Sequence, residues 1–346
     1  MKSSALSLLF LLMVFCSVGY SQNLQYLDSS QAGVSFRGMS IAPDGTIWVS
    51  GSKGTIGRSS DEGKTWNWVK PAGYEKRDFR DIEGLNANTA LAMAVDSPGL
   101  IIRTTDGGKS WKMVYENHST GIFLDDMCFR NEKEGICAGD PLNDGRLVII
   151  ATRNGGETWQ SLNEEQRPHV EKGEAMFAAS GGNISTHPTD KQAYILVTGG
   201  ILSRLWTIYP FKIEKKPDGL TLPVKQGGQM TGANAVFVSG NYIMIAAGDY
   251  NEPARSDSNF TVKYKNRPPK LIELAGGYRS SIADNGNGQR VACGINGISM
   301  HEAPFASYPL PWRVVSSESF NVVRTKPGIN AFWLAGSRGR IALISF

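Results

Sequence analysis

This sequence predicts an all-β chain folded as a single seven-bladed β-propeller, and three observations carry the prediction. A turn motif recurs three times, a short apolar run recurs seven times, and the last repeat lacks a strand that the start of the chain can supply. Repeats at this period are the mark of blade-like units of four short strands.

The turn motif reads Ser59-Ser60-Asp61-Glu62-Gly63-Lys64-Thr65-Trp66. It returns as Thr104-Thr105-Asp106-Gly107-Gly108-Lys109-Ser110-Trp111 and as Thr152-Arg153-Asn154-Gly155-Gly156-Glu157-Thr158-Trp159. The tryptophans stand 45 and 48 positions apart. An Asp or Asn side chain accepts hydrogen bonds from its own turn backbone. The glycine two positions on tolerates positive φ, and the Trp ring packs on the hairpin. Asp61, Gly63, Trp66, Asp106, Gly108, Trp111, Asn154, Gly156 and Trp159 are therefore expected to be structural Asp-box residues.

The apolar run ends in a small residue, often glycine. It appears at Ile47–Gly51, Leu91–Val95, Ile136–Gly139, Ile195–Gly199, Met244–Gly248, Val291–Gly294 and Phe332–Gly336. Successive ends are 44, 44, 60, 49, 46 and 42 residues apart. Amphipathic helical periodicity is not apparent in any long window. After Gly336 only one more strand fits, Arg340 to Phe346. Asn23 to Leu27 is then expected to complete the final blade and remove an exposed sheet edge.

Composition agrees. The chain has 346 residues, 41% apolar and 20% charged, and 39 glycines where the average of about 7% would give fewer. There is no glycine triplet period and no heptad, so collagen and coiled coil are excluded, and the apolar content excludes disorder. The net charge of +4 is small for the length, and no dense basic stripe supports nucleic-acid binding.

Residues 1–21 are expected to be a secretory signal and 22–346 the propeller. A charged start at Lys2 leads into a mostly apolar run from Leu6 to Val18 and a small-residue exit near Ser21. That run is short for a membrane span, so a soluble, exported chain without a transmembrane anchor is expected, periplasmic or extracellular. Removing the signal leaves Cys128, Cys137 and Cys293, too few for a disulfide framework. Cys128 and Cys137 flank a turn-like segment, and two buried thiols in a hairpin is the favoured reading.

These residues together resemble the photosystem II stability/assembly factor-like Asp-box (BNR) repeat propellers, and more distantly sialidase-type propellers. The resemblance runs over nearly the whole mature chain. It is most specific at Phe36-Arg37-Gly38, the three turn motifs, Gly139-Asp140-Pro141 with Asp144-Gly145-Arg146, and Gly173 to Ser180. It implies a protein-binding assembly factor that uses arginines on one face.

The inner strand of each blade should line the central channel. The segments expected there are Ser35–Gly38, Asp78–Asp81, Leu124–Asp126, Phe177–Ser180, Thr231–Asn234, Tyr278–Ser281 and Asn321–Arg324. Four carry an arginine, which makes Arg37, Arg80, Arg279 and Arg324 the candidate ligand-binding set. Arginine's planar donor fork suits carboxylate, phosphate or sulfate. Pairing with Asp78, Asp81 and Asp125 as structural ion pairs is the competing reading. The 60-residue interval marks an insertion from Gln160 to Glu174 with Glu164, Glu165, His169, Glu171 and Glu174, expected near a channel mouth.

Catalytic signatures are sparse. His118, His169, His187 and His301 share no metal spacing, and no phosphate loop, dinucleotide fingerprint or nucleophile elbow occurs. No cofactor and no metal are expected. Asp126 with Glu174 is the only carboxylate pair a glycosidase could use, and Tyr278 with Arg37, Arg279 and Arg324 could imitate the tyrosine nucleophile and arginines of a sialidase. The leading expectation is a monomeric, noncatalytic propeller that binds a protein or an anionic ligand through an arginine-bearing central face. The alternative is a carbohydrate-active hydrolase or lyase on acidic glycans, so enzymatic activity stays open at this point.

Overall fold

The computed structural model describes residues 23–302 and 312–345. The expected signal at 1–21 lies outside them. Regular structure among the described residues is strand, apart from isolated 3-10 turns.

Seven inner strands form a ring: Phe36–Ile41, Phe79–Gly84, Leu124–Phe129, Ile184–Thr186, Thr231–Ser239, Ser281–Asp284 and Val322–Thr325, in blades 1 to 7. Each packs against the next, and the seventh packs against the first. Outward from each lie three more antiparallel strands. Five blades are separate four-stranded sheets. Blades 4 and 5 join into one nine-stranded sheet through the short strand Glu174–Ala175 and the single pair Gly199 with Gly232.

Closure follows the expectation. Asn23–Asp28 pairs antiparallel with Ile341–Ser345, register Asn23 to Ser345, so the first strand is the outer strand of blade 7. Leu24 packs on the core of blades 6 and 7 and Leu27 on that of blades 7 and 1. The cores lie between neighbouring blades, because the second strand of each blade is covered on both faces. Ala90–Ala94 is buried at every residue, and its Ala90 and Ala92 join Trp48 and Ile56 of blade 1 in one cluster.

Two inner-strand assignments are corrected. Phe177–Ser180 is not a strand; the inner strand of blade 4 begins at Ile184. Tyr278 and Arg279 precede the blade 6 strand, which starts at Ser281. Cys128, Cys137 and Cys293 are free thiols. Cys128 sits opposite Ile136, and Cys137 sits opposite Met127. Neighbouring positions on a strand face opposite sides of the sheet, which keeps the two sulfurs apart.

The three turn motifs join the third and fourth strands of blades 1 to 3 and share the hydrogen bonds to the Asp or Asn side chain. The Trp indole bond is made in the first two only, Trp159 Nε1 being buried without a partner among the described residues. In the second, Asp106 accepts from Thr104 Oγ1 at 2.8 Å, Ser110 N at 2.9 Å and Ser110 Oγ at 2.6 Å. Trp111 Nε1 donates to Gly108 O at 3.2 Å, and Gly108 has φ 88°. Asn154 repeats this with its amide, accepting from Thr158 N at 3.1 Å and donating to Thr158 Oγ1 at 2.9 Å. Hydrogen bonds to Asp61 and Asp106, chiefly from Thr65 and Ser110, lower both carboxyls to about 2.

Because Asn154 holds the same turn without a charge, Asp106→Asn should melt within a few degrees of the parent in a thermal scan at pH 7. Asp106→Ala, which removes every acceptor, should lower Tm further. Equal losses for the two variants would contradict the hydrogen-bond account.

Candidate functional site

A one-residue slip in four inner strands sets what the channel displays. In blade 1, Phe36 pairs with Gly51 and Gly38 with Ser50, leaving Arg37 unpaired. The same slip leaves Arg80 unpaired in blade 2, Asp125 in blade 3 and Asn234 in blade 5. A β-bulge inserts one residue and re-aims its side chain. Arg37, Arg80 and Asn234 line a depression of about 420 Å³, together with Phe123, Asp140, Met176, Phe177, Tyr250 and Tyr278.

The floor of this depression is the segment from Phe177 to Gly182, which leaves blade 4 and crosses the channel. Arg37 Nη1 donates to Ala179 O at 3.4 Å, and Arg324 Nη2 donates to Ser180 O at 3.1 Å and to Gly181 O. Ser180 Oγ donates to Ser280 O at 2.5 Å, and Val236 N donates to Gly182 O at 2.7 Å. Blades 1, 5, 6 and 7 therefore all hold the plug. Only glycine fits at 181: its φ is +55°, and a Cβ there would lie 2.1 Å from Asp81 Oδ1. The Ala-Ala-Ser-Gly-Gly sequence is small because the channel is narrow.

The plug separates two mouths of different chemistry. At the depression, Arg80 Nε pairs with Asp78 Oδ2 at 2.8 Å, and its guanidinium lies 5.7 Å from the Phe123 ring centre. Arg37 makes no ion pair among the described residues. Burial, with Arg80 nearby, lowers its pKa from the ordinary arginine value. Asp140 accepts from Met176 N at 2.9 Å, and burial raises its carboxyl to about 6. Tyr278 donates to Asn234 Oδ1 at 3.4 Å, and burial raises its phenol above the ordinary value. The opposite mouth, about 170 Å³, is lined by Glu83, Cys128, Ser185, Phe237 and Arg324 among others.

The four candidate arginines do not converge. Arg37 and Arg80 share the depression. Arg324 stands at the other mouth, three positions further along its strand in register, and donates to Ser281 Oγ at 3.1 Å as well as to the plug. Arg279 is buried and faces its own blade. Its guanidinium donates to Ser299 Oγ at 2.7 Å, Asn296 Oδ1 at 2.7 Å and the carbonyls of Gly276 and Tyr278, both at 2.8 Å. Burial lowers its pKa to about 10. Gly294 meets Tyr278 O and Arg279 Cα as Gly139 meets Phe123 O and Leu124 Cα. Arg279 thus occupies the core-facing register of Leu124, and a shift of one residue turns a side chain to the other face.

The proposed catalytic constellation also separates. Glu174 is buried and bound by Arg204 Nη2 at 2.5 Å, Thr198 Oγ1 at 2.5 Å and Trp206 Nε1 at 3.4 Å. Asp126 accepts from Ile184 N at 2.6 Å beneath the plug. Neither lines the depression where Tyr278 sits. The insertion before Glu174 is likewise absorbed by ion pairs: Glu164 with Arg146 at 3.2 Å, Glu165 with Lys216 at 2.8 Å, and Asp144 with Arg167 at 2.6 Å.

Sequence reasoning missed Phe123, Tyr250 and Met230 in the depression, and put Asn234 on a channel-lining segment without making it a site residue. Aligning the inner strands on their apolar residue (Phe36, Phe79, Leu124, Ala233) rather than on arginine would have found the bulge position and rejected Arg279.

Below the plug, Asp81, Glu83 and Asp126 lie within electrostatic reach of Arg324, which forms no ion pair with any of them. Burial first, and then mutual repulsion for Glu83 and Asp126, raises their pKa values, while Arg324 opposes. Asp81 takes Ile82 N and Met127 N on its two oxygens, whereas Asp126 takes only Ile184 N and leaves its other oxygen buried without a hydrogen-bond partner among the described residues.

Solved structures match the whole fold. One of YCF48 bound to a D1 peptide covers 94% of this chain and 97% of its own, with TM-score 0.64 and 13% sequence identity. YCF48 from Cyanidioschyzon merolae covers 93% and 98%, with TM-score 0.63 and 13% identity. The chain has the YCF48 fold. That β-propeller likeness is the one the sequence led us to expect. No protein-family model matches the chain, and no curated protein does.

A carboxyl whose pKa is raised by folding contributes stability that is complete below about pH 4, the unfolded value, and lost as pH rises. Asp126→Asn removes that dependence and leaves an acceptor for Ile184 N. The Tm of Asp126→Asn minus that of the parent should therefore be larger at pH 8 than at pH 4.5. A difference independent of pH would contradict a raised Asp126 carboxyl.

Proposed function

We propose that this chain is an exported, noncatalytic binding protein of the assembly-factor kind, which engages a peptide of a partner protein through an anionic group held at the mouth bearing Arg37 and Arg80. One observation carries the reading. Arg37 stands on a bulge at the depression, half-buried and without an ion-pair partner among the described residues. A charge that is partly desolvated and unpaired is costly, and a ligand carboxylate offsets that cost with charge-assisted hydrogen bonds. Arg80 is already paired with Asp78, so it adds field more than a free fork.

The YCF48 structure that holds a D1 peptide supports a peptide as the ligand class. Export rests on the apolar run at the start of the chain. Among the described residues no helix is long and apolar enough to cross a membrane. A glycan-cleaving role has no comparable support, since the structure keeps Asp126, Glu174 and Tyr278 apart.

The test is an array of acidic peptides, each paired with its Asn or Gln counterpart, probed with the mature chain. Acidic members should bind more tightly than their amides, and Arg37→Ala, with unchanged circular dichroism, should weaken them about 10-fold or more, the size of one lost charged hydrogen bond. Turnover of alginate, polygalacturonate or sialyllactose, or equal binding by acids and amides, would overturn the reading.

Asp140 supplies a pH dependence. Its carboxyl, raised to about 6, carries a negative charge above that pH, in the depression that Arg37 and Arg80 also line, and loses it below. Affinity for an acidic peptide should therefore rise as pH falls from 7.5 to 5.5, while the peptide's own carboxylate stays ionised. Asp140→Asn should flatten the profile; an unchanged slope in that variant would remove Asp140 from the site.

A further inference from the structure

The depression is lopsided. Its charge comes from blades 1 and 2, where Arg37 and Arg80 stand on their bulges. Its other side, on blades 4 and 5, is apolar and open to solvent. Met230 and Tyr250 line it while 42% and 44% exposed, and Ile201, 46% exposed, lies outside the depression on a loop bonded to theirs. The loops that carry these three residues are tied together. Tyr250 N donates to Met230 O at 3.0 Å, Gly227 N to Gly200 O at 3.0 Å, and Thr231 Oγ1 to Gly200 O at 3.2 Å.

The apolar surface is also held rigidly. The Tyr250 ring meets Tyr278 edge-on at 5.6 Å between centroids, and Ile201 N donates to Gly173 O at 3.0 Å. Single exposed apolar residues are ordinary on a protein surface. A contiguous group at the rim of a concave site, facing an unpaired cation across it, is a marker of an interaction surface. A fixed aromatic side chain also gives contact area at low entropic cost.

We infer that the site takes a peptide segment in which a carboxylate is followed or preceded directly by a large apolar side chain, the carboxylate at Arg37 and the apolar group on the shelf of Ile201, Met230 and Tyr250. Charge complementarity selects this occupant. Arg37 requires an anion, and the depression is too small for an anionic side chain to bring a long solvated spacer with it. A purely acidic segment would leave the shelf wet, and a purely apolar one would leave Arg37 unpaired. The inference rests on the proposed peptide-binding reading and adds the identity of the neighbouring residue.

The probe is an array of nonapeptides with a fixed central Asp, in which each flanking position is varied through all residues, with central-Asn copies as controls. On the parent chain, Phe, Tyr, Leu, Ile or Met on one flank should exceed Ser there by about fivefold or more. In Met230→Ser/Tyr250→Ser that preference should disappear while the Asp-over-Asn preference remains; Ile201→Ser, at the outer edge, should reduce it partway. Thermal melts close to the parent establish that the variants fold. Asp-dependent binding with no apolar flank preference, or with a preference untouched by both variants, overturns the shelf and leaves the peptide-binding reading standing. Loss of any Asp-over-Asn preference in the parent overturns both.

Discussion

One extra residue in each of four inner strands governs what this propeller presents. A regular antiparallel ladder would alternate its side chains strictly between the two faces. The slip between Phe36 and Gly38, repeated in blades 2, 3 and 5, breaks that alternation at the same height around the ring. The apolar residue before the slip stays in the core between blades, and the added residue is free to turn toward the channel. Arg37, Arg80, Asp125 and Asn234 are what those four positions hold. Stability and display are thereby decoupled: Phe36, Phe79 and Leu124 are fully buried one position away.

The plug converts a pore into two sites. A seven-strand ring leaves an axial space, and the segment from Phe177 to Gly182 fills it at the cost of giving up strand geometry in blade 4. Backbone carbonyls exposed by that departure are satisfied by Arg37 above and Arg324 below. Buried carbonyls need such partners. The arginines therefore have a structural duty as well as any role in binding, and the duty differs between them. Arg324 spends four of its five N–H donors on Ser281 and three carbonyls. Arg37 makes one long contact and keeps most of its donors.

Much of the scaffold was legible in the sequence. The turn motifs announced their own hydrogen bonds, since Asp61, Asp106 and Asn154 sit where a turn needs an acceptor and the glycines where φ is positive. Seven apolar runs counted the second strands of the blades, and the short last repeat announced closure by the first strand. The site was less legible, for a definable reason. A bulge is a relation between two strands, and a single-strand pattern does not reveal it. Matching by residue type placed Arg279 with Arg37, although Arg279 lies in the core register. The small residues of the plug likewise looked like an ordinary strand, because only the contacts of Gly181 with Asp81 show why they are small.

The central claim is that the plug makes the two mouths chemically separate and that the one bearing Arg37 receives the ligand. Methionine reporters stand at both: Met176 and Met230 line the depression, and Met127 lines the opposite mouth. Methyl-labelled methionine spectra, recorded while an acidic peptide is titrated in, read each mouth independently. The Met176 and Met230 resonances should shift while Met127 stays unmoved. A response confined to Met127 would contradict it.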